Sequence, residues 1–372
     1  MTASVVGARI KALREGLGFS QEAVARRFGF NDRQTLSAIE NGERRVTAEE
    51  LVRASEILAE PLETFTDPYL LIGEGRFSWR QSGVPARKLE AYERESGRLV
   101  AAFRALGAQL GREPPLLRRT LGLSKASTFE DAAAAGERFA LEFGLGEVPA
   151  RRLAAVMEED LGILVLMVDA IPGVSGAACR LPELDAVLIN RREVPGRRHY
   201  DLAHELFHVL TWDAMPPERV EDATAESGGN RVEQLANAFA GAVLMPAAAV
   251  DRLGAGWADL PAGALAAKLN AAADALEVTA TALKWRLASL GRLTRAAARG
   301  VDDTRLRNNG HRGGDVPRDP PPLFSRPFAA LVARALDEGR LSARRAASLL
   351  GLTVDDLAEV FQAHGVEAEV GL

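Results

Sequence analysis

The sequence has one cysteine, Cys179, in 372 residues, which excludes an intrachain disulfide and a thiolate metal cage. It has no continuously apolar run of about 18 residues, so a membrane span is not expected. The opening stretch MTASVVGARIKALREG lacks the apolar core of about 7 to 15 residues that a secretory signal needs. These absences together point to a cytoplasmic protein with no membrane partner. Excess basic charge is also missing. At a net charge of −5 the chain has no global pull toward nucleic acid, and any DNA binding must come from a local patch. Histidine is scarce too, with five in all, yet three of them fall between His199 and His208.

What is present is the composition of an ordinary globular protein, 47% hydrophobic and 26% charged, long enough for two or three cores. From Val5 to about Asp67, short helical periods alternate with tight turns. Ser20 reads as an N-cap after the stop at Leu17-Gly18. A long amphipathic helix is expected from Gly83 to about Leu110, ended by Pro114-Pro115. From Ser127 to Pro246 the order reads helix, helix, strands, helix, helix. Helices are expected at 129–143, 150–161, 199–212 and 232–244, and strands at 163–168, 174–180 and 186–190. Beyond Ala247 the chain is helical and Ala-rich, except for the polar, Gly/Pro-rich stretch 308–322, expected as a mobile linker. A last helical unit runs from Ser325 to about His364, and is expected to pack as a bundle or serve as a dimer contact. Cys179 lies in an expected strand and reads as a small buried hydrophobe. Arg191, Arg192, Arg197 and Arg198 read as a solvated loop, and His311 and His364 as exposed.

Chemistry concentrates in His204-Glu205-Leu206-Phe207-His208, an HExxH motif. On a helix, residues four apart share a face, so both imidazoles can reach one ion. Glu205, beside the first ligand, suits a general base that later passes its proton to a leaving amine. Zinc at such a site acidifies water and polarises a scissile carbonyl. A catalytic zinc wants a third protein ligand and an open position. Glu233, 25 residues after His208 at the start of a second helix, is the candidate. Asn237 lies one turn beyond it and can hydrogen-bond a ligating imidazole or the substrate backbone, and Tyr200, one turn before His204, is a weaker candidate to support a ligand or stabilise the transition state. Availability can equally put manganese in such a site.

The run from Arg198 to His208, followed by Glu233-Gln-Leu-Ala-Asn237-Ala-Phe239-Ala-Gly-Ala-Val-Leu244-Met245-Pro246, resembles the ImmA/IrrE family of zinc metallopeptidases. The likeness covers roughly 129–246. It implies a zincin-like α+β peptidase domain of gluzincin type, with His204, His208 and Glu233 as metal ligands, Glu205 as catalytic base, and a transcriptional repressor as protein substrate. The family often has a hydroxyl residue and a small residue where Tyr200 and Phe207 stand, which bears on substrate size.

Residues from Ala8 to Leu58 resemble the XRE (Cro/repressor-like) helix-turn-helix family. Ile10, Leu13, Val24, Phe28, Leu36 and Ile39 read as its core, with Gly29 closing the second helix. The third helix would offer Arg33, Gln34, Thr35 and Ser37 to base edges in the major groove. Gln21, Arg44 and Arg45 are candidate phosphate contacts. Residues 1–46 hold eight Lys/Arg against five Asp/Glu, a net +3, so such a module would need a dimer or a second contact to hold double-stranded DNA.

The expected architecture is multidomain and mainly α with a small β-sheet. It comprises a five-helix XRE-type helix-turn-helix at 1–67, a helical linker at 68–126, the peptidase domain at 127–246 and a C-terminal helical region at 247–372. The expected function is a DNA-binding regulator with a zinc endopeptidase that cleaves a partner repressor or antitoxin-like protein in a stress or phage response. The alternative is a non-hydrolytic transcription factor that uses the peptidase fold as a sensor.

Overall fold

The structure is a computed structural model describing residues 3–112, 118–222, 230–307 and 319–368. Pro114-Pro115, Gly228-Gly229, His311 and most of the expected linker at 308–322 lie outside the described residues.

The first unit is five helices: α1 (Ala3–Gly16), α2 (Gln21–Phe28), α3 (Arg33–Glu40), α4 (Ala48–Leu58) and α5 (Leu62–Thr66). Their ends are set by local chemistry. The Ser20 hydroxyl accepts from the Ala23 N–H to start α2, and Gly29, at φ 78°, takes the left-handed conformation that stops it. Asp32 caps α3, and Thr47 with Glu50 forms a capping box on α4. Ile10, Val24, Phe28, Leu36 and Ile39 are buried together, with Leu13 partly buried against them. Arg14 forks onto Glu40 at 2.6 and 3.0 Å inside this unit. Arg9 is fully buried and donates to Glu74 and to the carbonyls of Thr64, Asp67 and Leu70. Two of the eight cations counted over 1–46 therefore serve the interior, so the positive surface is weaker than the sequence count suggests.

The stretch expected as a helical linker is not all helix. It opens with β1 (Arg76–Gln81) before α6 (Ala86–Gln109). Of β1 only Phe77 and Trp79 are large and apolar, and they alternate with Ser78 and Arg80, so the run offers little hydrophobic signal. Its membership of a sheet is decided by pairing with distant residues. Then follow α7 (Phe129–Glu142), α8 (Leu153–Glu159), β2 (Leu164–Val168), β3 (Val174–Arg180), β4 (Asp185–Asn190), α9 (Pro195–Thr211), the short β5 (Val220–Asp222) and α10 (Arg231–Leu244). The helix expected over 150–161 is shorter, preceded by a 3-10 turn at Pro149–Arg151. After α10 come α11 (Ala247–Asp251), α12 (Ala262–Leu276), α13 (Ala280–Ser289), α14 (Arg295–Gly300), α15 (Arg326–Asp337), α16 (Ala343–Leu350) and α17 (Val354–Ala363). No helix among the described residues is long and apolar enough to cross a membrane.

The sheet order is β2-β4-β3-β1-β5. β2 runs parallel to β4 and β1 parallel to β5, while β3 is antiparallel to both its neighbours. Both faces are covered, which explains the continuously apolar ILVLMV run. On one face Val165, Ala178, Val187 and Ile189 meet Leu202, Leu206 and Phe207 of α9 and Leu235 and Phe239 of α10. On the other, Leu164, Leu166, Cys179 and Leu188 meet Val100, Phe103 and Leu106 of α6 and Phe328 and Val332 of α15. The C-terminal unit thus packs as an outer layer on the second face. His364, expected as exposed, is half-buried, with its Nε2 2.8 Å from the Leu323 carbonyl. Cys179 is fully buried, and burial raises its thiol pKa well above the ordinary value, in keeping with a small apolar role.

Gly136 lets α7 lie close against α10, because a Cβ there would meet the Phe239 carbonyl oxygen at 2.6 Å and Ala242 Cβ at 2.9 Å. Replacing Gly136 by Val should therefore push the two helices apart. The expected cost is about 1–3 kcal/mol, read as an earlier unfolding transition in urea. An unchanged midpoint would show that the helices tolerate the separation.

Candidate metal centre

Two helices and two strands build the site. α9 carries His204, Glu205 and His208, all fully buried, beneath the sheet. α10 crosses beside it and presents Glu233 from its first turn. The Nε2 atoms of His204 and His208 lie 3.1 Å apart. Glu233 spans them, with Oε2 3.2 Å from His204 Nε2 and Oε1 3.4 Å from His208 Nε2. Asn237 Oδ1 sits 3.1 Å from His204 Nδ1, where it can take the ring N–H and leave the Nε2 lone pair facing the cluster. The Tyr200 hydroxyl donates to Asn237 Oδ1 at 3.2 Å, and burial lifts its phenol pKa to about 12.

Two residues that the sequence reading missed stand in the same cluster. Arg80 on β1 pairs with Gly176 of β3 on one side and Glu221 of β5 on the other. Because side chains alternate along a strand, this row faces α9. Glu221 Oε2 lies 3.3 Å from His208 Nε2 and 3.9 Å from His204 Nε2, and its side chain is 4% exposed. Arg80 Nη1 reaches to 3.1 Å from His204 Nε2, and Arg80 Nε donates to Asp201 at 3.0 Å. A carboxylate between the two metal-site helices was the available signal for Glu221. Its membership depends on a three-residue strand with no recognisable pattern of its own. Arg80 lies 124 positions from His204, and nothing local marks it.

The electrostatics call for a cation. Arg80 pairs with Asp201, which also lies 3.6 Å from Arg197, and reaches Glu233 at 4.0 Å, so Glu221 and Glu233 face two imidazoles and the edge of one guanidinium. Burial pushes the His204 pKa down, but hydrogen bonding to Glu221 and Glu233 outweighs it and brings it up to about 9. Burial pushes Glu221 up, yet His208 and His204 hold it below the usual carboxylate range. Burial raises Glu205 to about 7 against the pull of His208 and His204. Neither oxygen of the buried Glu205 carboxylate has a hydrogen-bond partner among the described residues, and Glu221 faces the two imidazoles. Unpaired buried carboxylates are costly, and a divalent ion is the usual remedy.

The donor set fits such an ion. One ligand atom from each of His204, His208, Glu221 and Glu233 lies within 4.8 Å of the other three. Nitrogen and oxygen ligands about 2.0–2.1 Å from a tetrahedral centre are separated by about 3.3 Å. Separations of 3.1, 3.2, 3.3 and 3.4 Å lie near that spacing, the 3.2 and 3.4 Å ones through different oxygens of Glu233, while Glu221 stands 3.9 Å from His204. Nitrogen with carboxylate oxygen suits zinc and also manganese.

The helix-turn-helix candidates are placed differently. Arg33, Gln34 and Arg45 are exposed, while Thr35 and Ser37 are half-covered. Gln21 donates to Glu40 at 2.8 Å, Thr35 to Asp32 at 3.1 Å, and Arg44 forks onto Glu50 at 3.0 and 2.8 Å. Those three side chains have internal work, which leaves Arg33, Gln34 and Arg45 as the open part of the surface.

This combination of a five-helix first unit with a largely buried His/Glu cluster under a mixed sheet agrees with comparisons to known proteins. Residues 10–65 match the helix-turn-helix family and residues 158–281 match the IrrE N-terminal-like domain, so the chain joins a domain of each kind. The second match contains all four donors of the cluster. The chain is also 36% identical over 111 residues to the radiation response metalloprotease IrrE of Deinococcus deserti. That alignment takes in 29% of this chain and 37% of the length of the relative.

Asn237→Ala should leave the fold intact and weaken metal binding by about 10- to 100-fold, because His204 loses the group that fixes its ring. Competition with a chromophoric chelator measures this. Equal affinity in the variant would mean that the hydrogen bond does not orient the ligand.

Proposed function

We propose that this chain is a cytoplasmic DNA-binding regulator whose second domain is a zinc-dependent endopeptidase acting on a partner protein, a transcriptional repressor or antitoxin-like protein. The observation that carries the reading is Glu205, buried and unpartnered beside two imidazoles and a carboxylate that converge on one point. A purely structural metal has no use for an acid/base group in that position.

In this reading His204, His208 and Glu233 hold the ion, and zinc bound there supplies Lewis acidity and acidifies water. Glu205 accepts a proton from the attacking water and delivers it to the leaving amine. Its burial beside the two imidazoles places it where it can both take and give a proton. Asn237 keeps the His204 ring in one tautomer. Arg80, held as a cation by Asp201 and Glu205 despite burial, is placed to stabilise negative charge developing at a carbonyl oxygen. A stress role is carried over from the name of the relative, which places that protein in a radiation response. The alternative, a non-hydrolytic sensor, keeps the metal but gives Glu205 no task.

Glu205→Gln keeps the shape of the side chain and removes the base. It should retain the metal yet cleave the protein encoded by the neighbouring gene at least about 10²-fold more slowly than wild type. Retained cleavage at the wild-type rate would assign the base elsewhere. For the first domain, Arg45→Ala should weaken binding to the chain's own upstream DNA about equally for all sequences. It should also reduce the salt slope of binding by about 1. Gel shifts across a salt series measure both, and a slope unaffected by the substitution would remove Arg45 from the phosphate contacts.

A further inference from the structure

A catalytic zinc keeps three protein ligands and one open position, whereas a structural site is closed by four. The cluster here offers four, and the fourth comes from an unusual place. His204, His208 and Glu233 sit on the long, well-packed helices α9 and α10. Glu221 sits on β5, three residues long, paired on one side only, to β1 at the rim of the sheet. Short edge strands with a single ladder are among the least costly elements to detach.

The geometry points to Glu221 as a fourth protein ligand that closes the metal centre, so that the structure represents a latent state of the enzyme. This rests on the metallopeptidase reading and adds its regulation. Three observations support it. Glu221 Oε2 lies 3.3 Å from His208 Nε2 and 3.9 Å from His204 Nε2, the first at the spacing of the other donor pairs. Its carboxylate is buried, and the charged partners it faces are the two imidazoles of the cluster themselves. The β1–β5 register, Arg80 opposite Glu221, aims the carboxylate at α9 and no other face. Withdrawing β5 from β1 would remove Glu221, free one ligand position and uncover the β1 edge. A peptide could then pair with that edge as an added strand. Glu233 cannot play this part, because its two oxygens bridge both imidazoles from within α10.

The test uses the full-length chain loaded with Co²⁺, whose visible absorption reports coordination, and acetohydroxamate as a small chelating probe for an open position. Wild type should take up one cobalt and give a spectrum that acetohydroxamate leaves unchanged. Glu221→Gln should take up cobalt, respond to acetohydroxamate, and release the metal to a competing chelator about tenfold or more readily. Glu221→His, which restores a ligand, should resemble wild type, and it guards against a spectrum altered by misfolding. If wild type and Glu221→Gln respond to acetohydroxamate alike and hold cobalt equally, Glu221 is not a ligand and the closed state is wrong, while the metal centre stands. If folded wild type takes up no cobalt, the metallopeptidase reading fails with it.

Discussion

Two carboxylates and two imidazoles gathered at one largely buried point call for compensating positive charge. That constraint organises the second domain. Taking Glu221 and Glu233 out of water is costly unless a cation is supplied, either as protons on His204 or as a divalent ion. The surrounding structure keeps the point fixed. The sheet roofs α9, Gly176 leaves room above Glu205, and α7 presses α10 inward through the close approach at Gly136. Arg80, paired with Asp201 at 3.0 Å, reaches Glu233 only at 4.0 Å and so meets little of the demand.

The first unit meets the rest of the chain in part through the short segment around Glu74. Arg9 in the DNA-reader unit donates to Glu74, which also lies 3.6 Å from Arg104 on α6. Two residues after Glu74 the chain enters β1, and four further on it presents Arg80 to the metal cluster. The segment that leaves the helix-turn-helix unit is therefore itself part of the wall of the candidate active site.

The legible parts of the sequence were those written in local periodicity. His204 and His208 are one helical turn apart, as are Glu233 and Asn237, so both faces could be read directly. The caps at Ser20 and Gly29 and the apolar strand runs were equally open to reading. Arg80 and Glu221 were not, because their places depend on β1 pairing with β3 and β5, partners far away in the sequence. A six-residue strand with two arginines and a three-residue strand carry almost no pattern by themselves. The DNA surface was only partly readable. Arg44 and Gln21 looked like phosphate contacts by position, yet Glu50 and Glu40 engage them, and such partners come from elsewhere in the fold.

The central claim is that α9 and α10 together hold one divalent ion. Elemental analysis of the zinc-loaded, dialysed chain tests it most directly, alongside a double variant with His204 and His208 both replaced by Ala and its helical content checked. The account predicts one ion per folded wild-type chain and none in the double variant. A folded wild-type chain that retains no transition metal, or a double variant that retains as much as wild type, would contradict it.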